Sequence, residues 1–328
     1  MKFVKRLAII LLVLIIIYFL GPQPSIPKYN NDLPSVPSDP ASLTAFVERT
    51  ESLHQLKPDN EARILWFNDS SKAKTAYSVV YLHGFSASQE EGDPVHTDFA
   101  KRFGCNLFLA RLAEHGIDTT EPLLNFTAEK LWNSAKEALA IGKQLGNKVI
   151  LLATSTGGTL ALKLAAEYPE IAGLVLLSPN IAINDPNAWV LNNHWGLQIA
   201  RLIKGKYNKS EDTSKAYANY WNTKYRMEAA VQLEELLETT MKESVFRRVK
   251  QPVLLLYYYK DEENQDKTVK VSAMKVMFSQ LGTPDSLKRQ GPIPNAGDHV
   301  IGSRLRSKDV PSVEAQCERF AVDILHLK

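Results

Sequence analysis

Ser155 stands in Ala153-Thr154-Ser155-Thr156-Gly157-Gly158, directly after the apolar run Val149–Ala153 and before a helical pattern over Thr159–Tyr168. A strand that turns sharply into a helix strains the residue at the turn, and small neighbours two places before and after relieve the crowding. Here those neighbours are Ala153 and Gly157, a variant of the G-x-S-x-G elbow. A Ser/Gly-rich helix cap has a similar composition, but the solid apolar strand in front of it argues for the elbow. A serine hydroxyl is a weak nucleophile until a neighbouring base takes its proton. The candidate base is His299, held by the small residues of Asn295-Ala296-Gly297-Asp298-His299 on a tight loop before the last helical pattern, about 310–325. His54, His96, His115, His194 and His326 have weaker contexts.

A base of this kind is oriented and charge-balanced by a carboxylate. The run Pro252-Val253-Leu254-Leu255-Leu256-Tyr257-Tyr258-Tyr259-Lys260-Asp261 places Asp261 at the end of a strand, with Asp266, Glu262, Glu263 and Asp185 as rivals. Acyl chemistry also needs two N–H groups fixed in advance around the developing oxyanion. His83-Gly84-Phe85-Ser86, directly after the strand pattern Ser78–Leu82, offers the N–H of Phe85, and the elbow offers that of Thr156. His83 itself reads as a brace for its turn, and His115 in Leu112-Ala113-Glu114-His115-Gly116 as part of the site's frame.

These residues need a scaffold that brings distant stretches together. Short apolar runs at Ile64–Phe67, Ser78–Leu82, Asn106–Ala110, Val149–Ala153, Gly173–Leu177 and Val253–Tyr258 alternate with helical patterns, as in a mostly parallel sheet covered on both faces. The rhythm breaks once, between Leu177 and Val253, a gap far longer than a crossover helix requires. Helical patterns at Trp195–Lys204, Ser214–Tyr225 and Met227–Met241 mark an insertion over the sheet, about residues 180–250. It holds Trp189, Trp195 and Trp221 with Tyr207, Tyr217, Tyr220 and Tyr225, most of which are expected to pack the insertion's own small core. Its basic half, Arg201–Arg226, and its acidic half, Met227–Glu243, can pair with each other, or the basic half can face anionic lipid.

With Ser155, Asp261 and His299 in that order, the sequence resembles the α/β-hydrolase superfamily, especially carboxylesterases and monoacylglycerol-lipase-like serine hydrolases. The resemblance rests on His83-Gly84-Phe85, Arg111-Leu112-Ala113-Glu114-His115-Gly116, Ala153-Thr154-Ser155-Thr156-Gly157-Gly158, the Asp261 segment and Gly297-Asp298-His299, and spans about residues 60–325. It implies an eight-stranded, mostly parallel sheet flanked by helices, with a helical cap inserted after the sixth strand. It also implies a Ser155-Asp261-His299 triad with Phe85 and Thr156 at the oxyanion, and hydrolysis of a moderately hydrophobic acyl ester through an acyl-enzyme. The same triad serves acyl transfer or lactone and peptide hydrolysis. A non-catalytic, membrane-tethered binding protein on a hydrolase scaffold is the reading from another class. Two departures from the family pattern are Ala153 for the elbow's first Gly and Tyr259 where a Gly often precedes the acid.

Of the 328 residues, 45% are apolar and 23% charged, a globular composition that excludes disorder and fibrous repeats. The net charge of +3 comes from the start of the chain, where Lys2, Lys5, Arg6 and Lys28 meet no acid. Residues 29–328 carry 35 basic and 36 acidic side chains, which gives nucleic acid no general attraction. Two cysteines, Cys105 and Cys317, supply no zinc-site spacing and are expected as free thiols; no cofactor or metal is expected. The basic start and the unbroken apolar run Leu7–Leu20 read residues 1–21 as a signal-anchor or signal peptide. That segment is a membrane partner which leaves the body exported, or secreted after cleavage. Residues 22–41, with six of the 17 prolines, read as a stiff tether, and 42–328 as the body, its first helix capped by Ser42.

Overall fold

The computed structural model describes residues 2–328. Helices α1 (Lys2–Phe19) and α2 (Pro40–Glu51) precede β1 (Arg63–Leu65), β2 (Thr75–Leu82), β3 (Asn106–Leu109), β4 (Gly146–Thr154) and β5 (Gly173–Leu177). Between these strands run α3 (Val95–Arg102), α4 (Ala128–Leu145) and α5 (Thr156–Glu167). The insertion follows, with α6 (Gly196–Lys204), β6 (Tyr207–Lys209), α7 (Lys215–Tyr220), β7 (Lys224–Arg226), α8 (Met227–Thr240) and α9 (Glu243–Phe246). The chain then closes through β8 (Val253–Tyr257), α10 (Val271–Gln280), β9 (Lys288–Pro292) and α11 (Val310–Asp323).

The main sheet has seven strands in the order β1-β3-β2-β4-β5-β8-β9. Only β1 is antiparallel to its neighbour, so the sheet is mostly parallel, as expected. All six strands read from apolar runs form, and the seventh, β9, is a polar edge strand with no such run. The sheet therefore has seven strands where eight were expected, because the residues before the short β1 form helix α2 and turns and add no strand. The insertion accordingly follows the fifth strand of the sheet. It is not wholly helical, since β6 and β7 pair as an antiparallel ribbon inside it.

Both faces of the sheet are buried, which is why the strands are solidly apolar. Val80, Leu82, Leu151, Ala153, Leu174 and Leu255 pack on one side with α4 and α5. Val79, Tyr81, Ile150, Leu152, Val175 and Leu254 pack on the other with α3 and α11. Each buried Val, Leu or Ile side chain among them stabilises the fold by about 1.5–3 kcal/mol relative to exposure. The register pairs Leu82 with Ala153 and Thr154 with Leu177, so the carboxyl ends of β2, β4 and β5 meet at one edge. Ligands of parallel sheets bind beyond such an edge.

Helix α2 begins at Pro40, earlier than the expected Ser42 cap. Asp39 is the capping residue, its carboxylate accepting the Ser42 N–H at 2.8 Å, and proline suits the first turn because its missing N–H would have no partner there. The proline-rich stretch is no free tether in this structure. Its carbonyls take the Trp132 indole N–H at Asn30 (2.7 Å) and the Lys136 ammonium at Asp32 (3.0 Å), while the Tyr29 hydroxyl meets Thr239 of α8 at 2.7 Å. Without a helix or sheet of its own, the strap satisfies its backbone on the side chains it crosses. Cys105 and Cys317 are free and buried.

Among the described residues no helix is long and apolar enough to cross a membrane. In α1 the charges of Lys2, Lys5 and Arg6 leave the apolar stretch Leu7–Phe19, about 20 Å at 1.5 Å per residue, against a hydrocarbon core of about 30 Å.

Candidate active site

Ser155 sits between β4 and α5 with φ 53° and ψ −120°, a region that costs a non-glycine residue energy. The surroundings hold it there. Its N–H donates to the Leu177 carbonyl at 3.0 Å, and its own carbonyl accepts from Gly158 (2.9 Å) and Asn180 (2.8 Å). Gly157 explains the small residue two places on: a Cβ there would lie 1.9 Å from the Leu82 carbonyl oxygen. The elbow is thus wedged against the end of β2, the strand that carries His83-Gly84-Phe85.

In that turn His83 is a brace. Its Nδ1 is 2.8 Å from the Gly84 carbonyl and its Nε2 accepts the Leu112 N–H at 3.0 Å. This is a neutral tautomer, and burial, with His115 beside it, pushes its pKa well down. His115 packs edge-on against His83, with ring centres 5.0 Å apart, and burial lowers its pKa to about 4. Both imidazoles are therefore uncharged supports behind Phe85. The N–H groups of Phe85 and Thr156 take no backbone acceptor among the described residues. Thr156 opens α5, where the first N–H groups have no partner within the helix and the helix dipole favours negative charge.

The acid differs from the sequence expectation. Asp261 is exposed and serves its own turn, accepting from the N–H groups of Glu263 (3.0 Å) and Asn264 (2.8 Å). Asp266, one of its rivals, is fully buried and meets His299 Nδ1 at 2.6 Å through Oδ2. Its other oxygen accepts the N–H groups of Thr268 (2.8 Å) and Val269 (3.0 Å). The reason is a local excursion. Tyr259 bridges Gln265 in antiparallel fashion, which throws residues 260–264 outward, and the Asp266 N–H returns to the Tyr258 carbonyl at 3.1 Å. Asp266 is thereby restored to the end of β8, and Asp261 is left on the outer turn. Glu262 and Glu263 are exposed on the same turn, and Asp185 caps its own loop through the Asn187 N–H at 2.8 Å.

Burial pushes the His299 pKa down, but the Asp266 charge and hydrogen bond, with Glu91 and Asp298 behind them, outweigh it and leave the value raised. His299 Nε2 is buried with no partner, so it makes no hydrogen bond to Ser155 in this structure. Both residues nevertheless line one cavity of about 310 Å³ with Phe85, Thr156 and Glu91. Contacts of this kind are often loose before substrate binds. Among the described residues no group of His, Cys, Asp or Glu converges as metal ligands would.

Known proteins carry the same framework. The model of the family described as Serine aminopeptidase, S33 matches residues 133–283, which include Ser155 and Asp266 and stop short of His299. The thermostable monoacylglycerol lipase of Bacillus sp. (strain H-257) is 32% identical over 108 residues, covering 33% of this chain and 42% of that lipase. A solved structure from LipS and LipT, two metagenome-derived lipolytic enzymes, superposes with TM-score 0.65 at 17% identity, over 81% of this chain and 98% of that one. Est1E from Butyrivibrio proteoclasticus with bound ferulic acid gives TM-score 0.56 at 16% identity, over 81% and 95%. Paleococcus ferrophilus monoacylglycerol lipase gives 0.52 at 16% identity, over 78% and 98%. The chain has the α/β-hydrolase fold.

In this α/β-hydrolase fold the insertion supplies much of the cavity wall. Tyr217 stacks on the buried Trp221 at 5.0 Å with rings 2° from parallel, and both line the cavity with Tyr225. These three aromatics do more than pack the insertion's own core, and Asn222 donates its N–H to the Ser86 carbonyl at 2.8 Å, tying the insertion to the Phe85 turn. A second, mainly apolar cavity of about 550 Å³, lined by Leu191, Ile199, Ala200 and Met227, shares Ile183, Tyr225 and Leu233 with the first. One residue of the site escaped sequence reasoning. Glu91, on a short 3-10 turn after β2, is buried beside Ser155, and nothing in its local sequence separates it from an ordinary loop carboxylate.

Proposed function

We propose that the protein hydrolyses carboxylic esters of moderate hydrophobicity through an acyl-enzyme. The observation that carries this reading is the 2.6 Å pairing of His299 with buried Asp266, its free ring nitrogen in the same cavity as the strained Ser155. In this mechanism Nε2 of His299 takes the Ser155 proton as the oxygen attacks the ester carbonyl. Asp266 holds the ring by Nδ1 and balances the imidazolium. The N–H groups of Phe85 and Thr156 receive the oxyanion, each worth roughly 2.7–4 kcal/mol of barrier. His299 returns the proton to the departing alcohol, and water, activated by the same nitrogen, releases the acid. The 550 Å³ cavity, continuous in its lining with the first, suits the acyl chain. Lipolytic relatives and structural neighbours support the class of reaction.

A fluorophosphonate probe tests the reading. Wild-type enzyme is expected to label at Ser155, Ser155→Ala to stay unlabelled, and p-nitrophenyl esters of increasing chain length to show an optimum. An unlabelled wild-type protein would favour the binding-protein alternative.

We further propose that the enzyme works at a lipid surface on the exported side of a membrane. Helix α1 exposes its apolar residues throughout, and its end is pinned to the insertion, where Trp195 donates its N–H to the Pro22 carbonyl at 2.9 Å and its indole to Ile17 at 3.0 Å. On the adjoining α6, Leu202 and Ile203 are 88% and 74% exposed. Together these apolar residues would enter the interface as neither does alone. Flotation with anionic vesicles checks this: the full chain should float, and a chain lacking residues 2–21 together with Leu202→Ser and Ile203→Ser should remain at the bottom.

A further inference from the structure

Glu91 has no place in the mechanism above, yet its surroundings are those of the site. It is 2% exposed, and its carboxyl accepts the Gly84 N–H. A Cβ added to Gly84 would lie 2.8 Å from each Glu91 carboxyl oxygen and 2.8 Å from the Ser155 Cβ, so carboxyl, turn and nucleophile are packed without a gap. The Trp221 indole of the insertion and the imidazole of His299 also act on this carboxyl. The role of acid partner to His299 is already filled by Asp266.

The peptide after Gly84 carries the N–H of Phe85. A turn with glycine at its centre has many conformations open to it, and an oxyanion donor is effective only when fixed before the reaction. We propose that Glu91 is a positioning residue of the oxyanion turn, its carboxyl oxygen holding the Gly84 N–H so that the next N–H faces the cavity of Ser155. The inference rests on the ester-hydrolase reading.

The role needs an acceptor oxygen and no charge. An ionised carboxyl here would oppose a nearby oxyanion. Burial pushes the Glu91 pKa up to about 7, with His299 and the Gly84 N–H pulling the other way, so the neutral form is within reach. Glutamine keeps the acceptor and the volume without the charge, whereas alanine keeps neither.

The test is steady-state hydrolysis of p-nitrophenyl butyrate by wild-type, Glu91→Gln and Glu91→Ala enzymes, each first shown to be folded by circular dichroism and a thermal melt. Loss of one preset donor costs about 10²–10³-fold. Glu91→Ala, which loosens a donor without deleting it, is accordingly expected to lower kcat about 10- to 100-fold with KM changed little, while Glu91→Gln stays within about fivefold of wild-type. A folded Glu91→Ala with wild-type kcat, or a Glu91→Gln that loses as much as Glu91→Ala, overturns the inference. An Ala variant that fails to fold leaves the decision to Glu91→Gln, whose kcat must survive. Fluorophosphonate labelling of the wild-type at Ser155 keeps this outcome separate from failure of the hydrolase reading itself.

Discussion

Replacing Asp266 by asparagine changes one atom and should nearly abolish turnover. The Thr268 and Val269 N–H groups both donate to Oδ1, at 2.8 and 3.0 Å. An asparagine oxygen will keep those two bonds, which turns its NH₂ toward His299 Nδ1. That nitrogen must then accept, and the single ring proton moves to Nε2, where it cannot receive the proton of Ser155. The wrong tautomer costs about 10⁴-fold in kcat in a comparable triad, or about 5 kcal/mol at 1.36 kcal/mol per decade. Asp261→Asn, on the exposed turn, is the control, expected within about twofold because surface changes stay near 0.5 kcal/mol. Initial rates on p-nitrophenyl butyrate at neutral and alkaline pH, with active sites counted by fluorophosphonate titration, measure both. The reasoning fails if Asp266→Asn keeps about a tenth of wild-type kcat, or if Asp261→Asn falls as far.

The pH profile carries a second expectation. A general base must be neutral, and the His299 pKa is raised above its ordinary value, so kcat/KM should rise with pH through a midpoint above that of free imidazole and shift downward in Asp266→Asn; a wild-type midpoint below it contradicts the pairing. Gly157→Ala puts a Cβ 1.9 Å from the Leu82 carbonyl oxygen and should destabilise by about 3 kcal/mol in urea unfolding, the upper end of overpacking costs. Glu91 gives a stability signature. Its folded-state value, about 7, lies above the ordinary glutamate value of 4.5. Its contribution is therefore complete below about pH 4.5 and is lost as pH rises through 7. Glutamine cannot ionise, so Glu91→Gln should gain on wild-type between those limits by up to about 3 kcal/mol, read as a widening difference in melting temperature. The groups facing Glu91 are His299, Asp298, Tyr81 and Tyr217, and they are common to both proteins.

Much of this was legible because burial writes itself into sequence. Strands covered on both faces must be apolar throughout, so β2, β4, β5 and β8 could be read directly. Lys288–Pro292 could not, since an edge strand needs no apolar run and tolerates proline. The β6–β7 ribbon hid inside a pattern that read as helix from Ser214 to Tyr225, because strands of three residues are too short for a period to show. The elbow stood out because strain demands small residues at fixed offsets. Asp261 misled because distance along the chain from a strand end is no guide when the intervening residues loop out and return. Glu91 was invisible because the Gly84 turn, Ser155 and Trp221 come together around it only in the fold, the last two far away in sequence.

The proline-rich strap has a practical consequence. It clasps α4 through Trp132 and Lys136 and α8 through Thr239, and α8 belongs to the insertion that walls the cavity of Ser155. A protease nick or truncation at its far end would release a clamp that joins two layers, unseat the wall from a distance, and alter turnover without touching any reacting group.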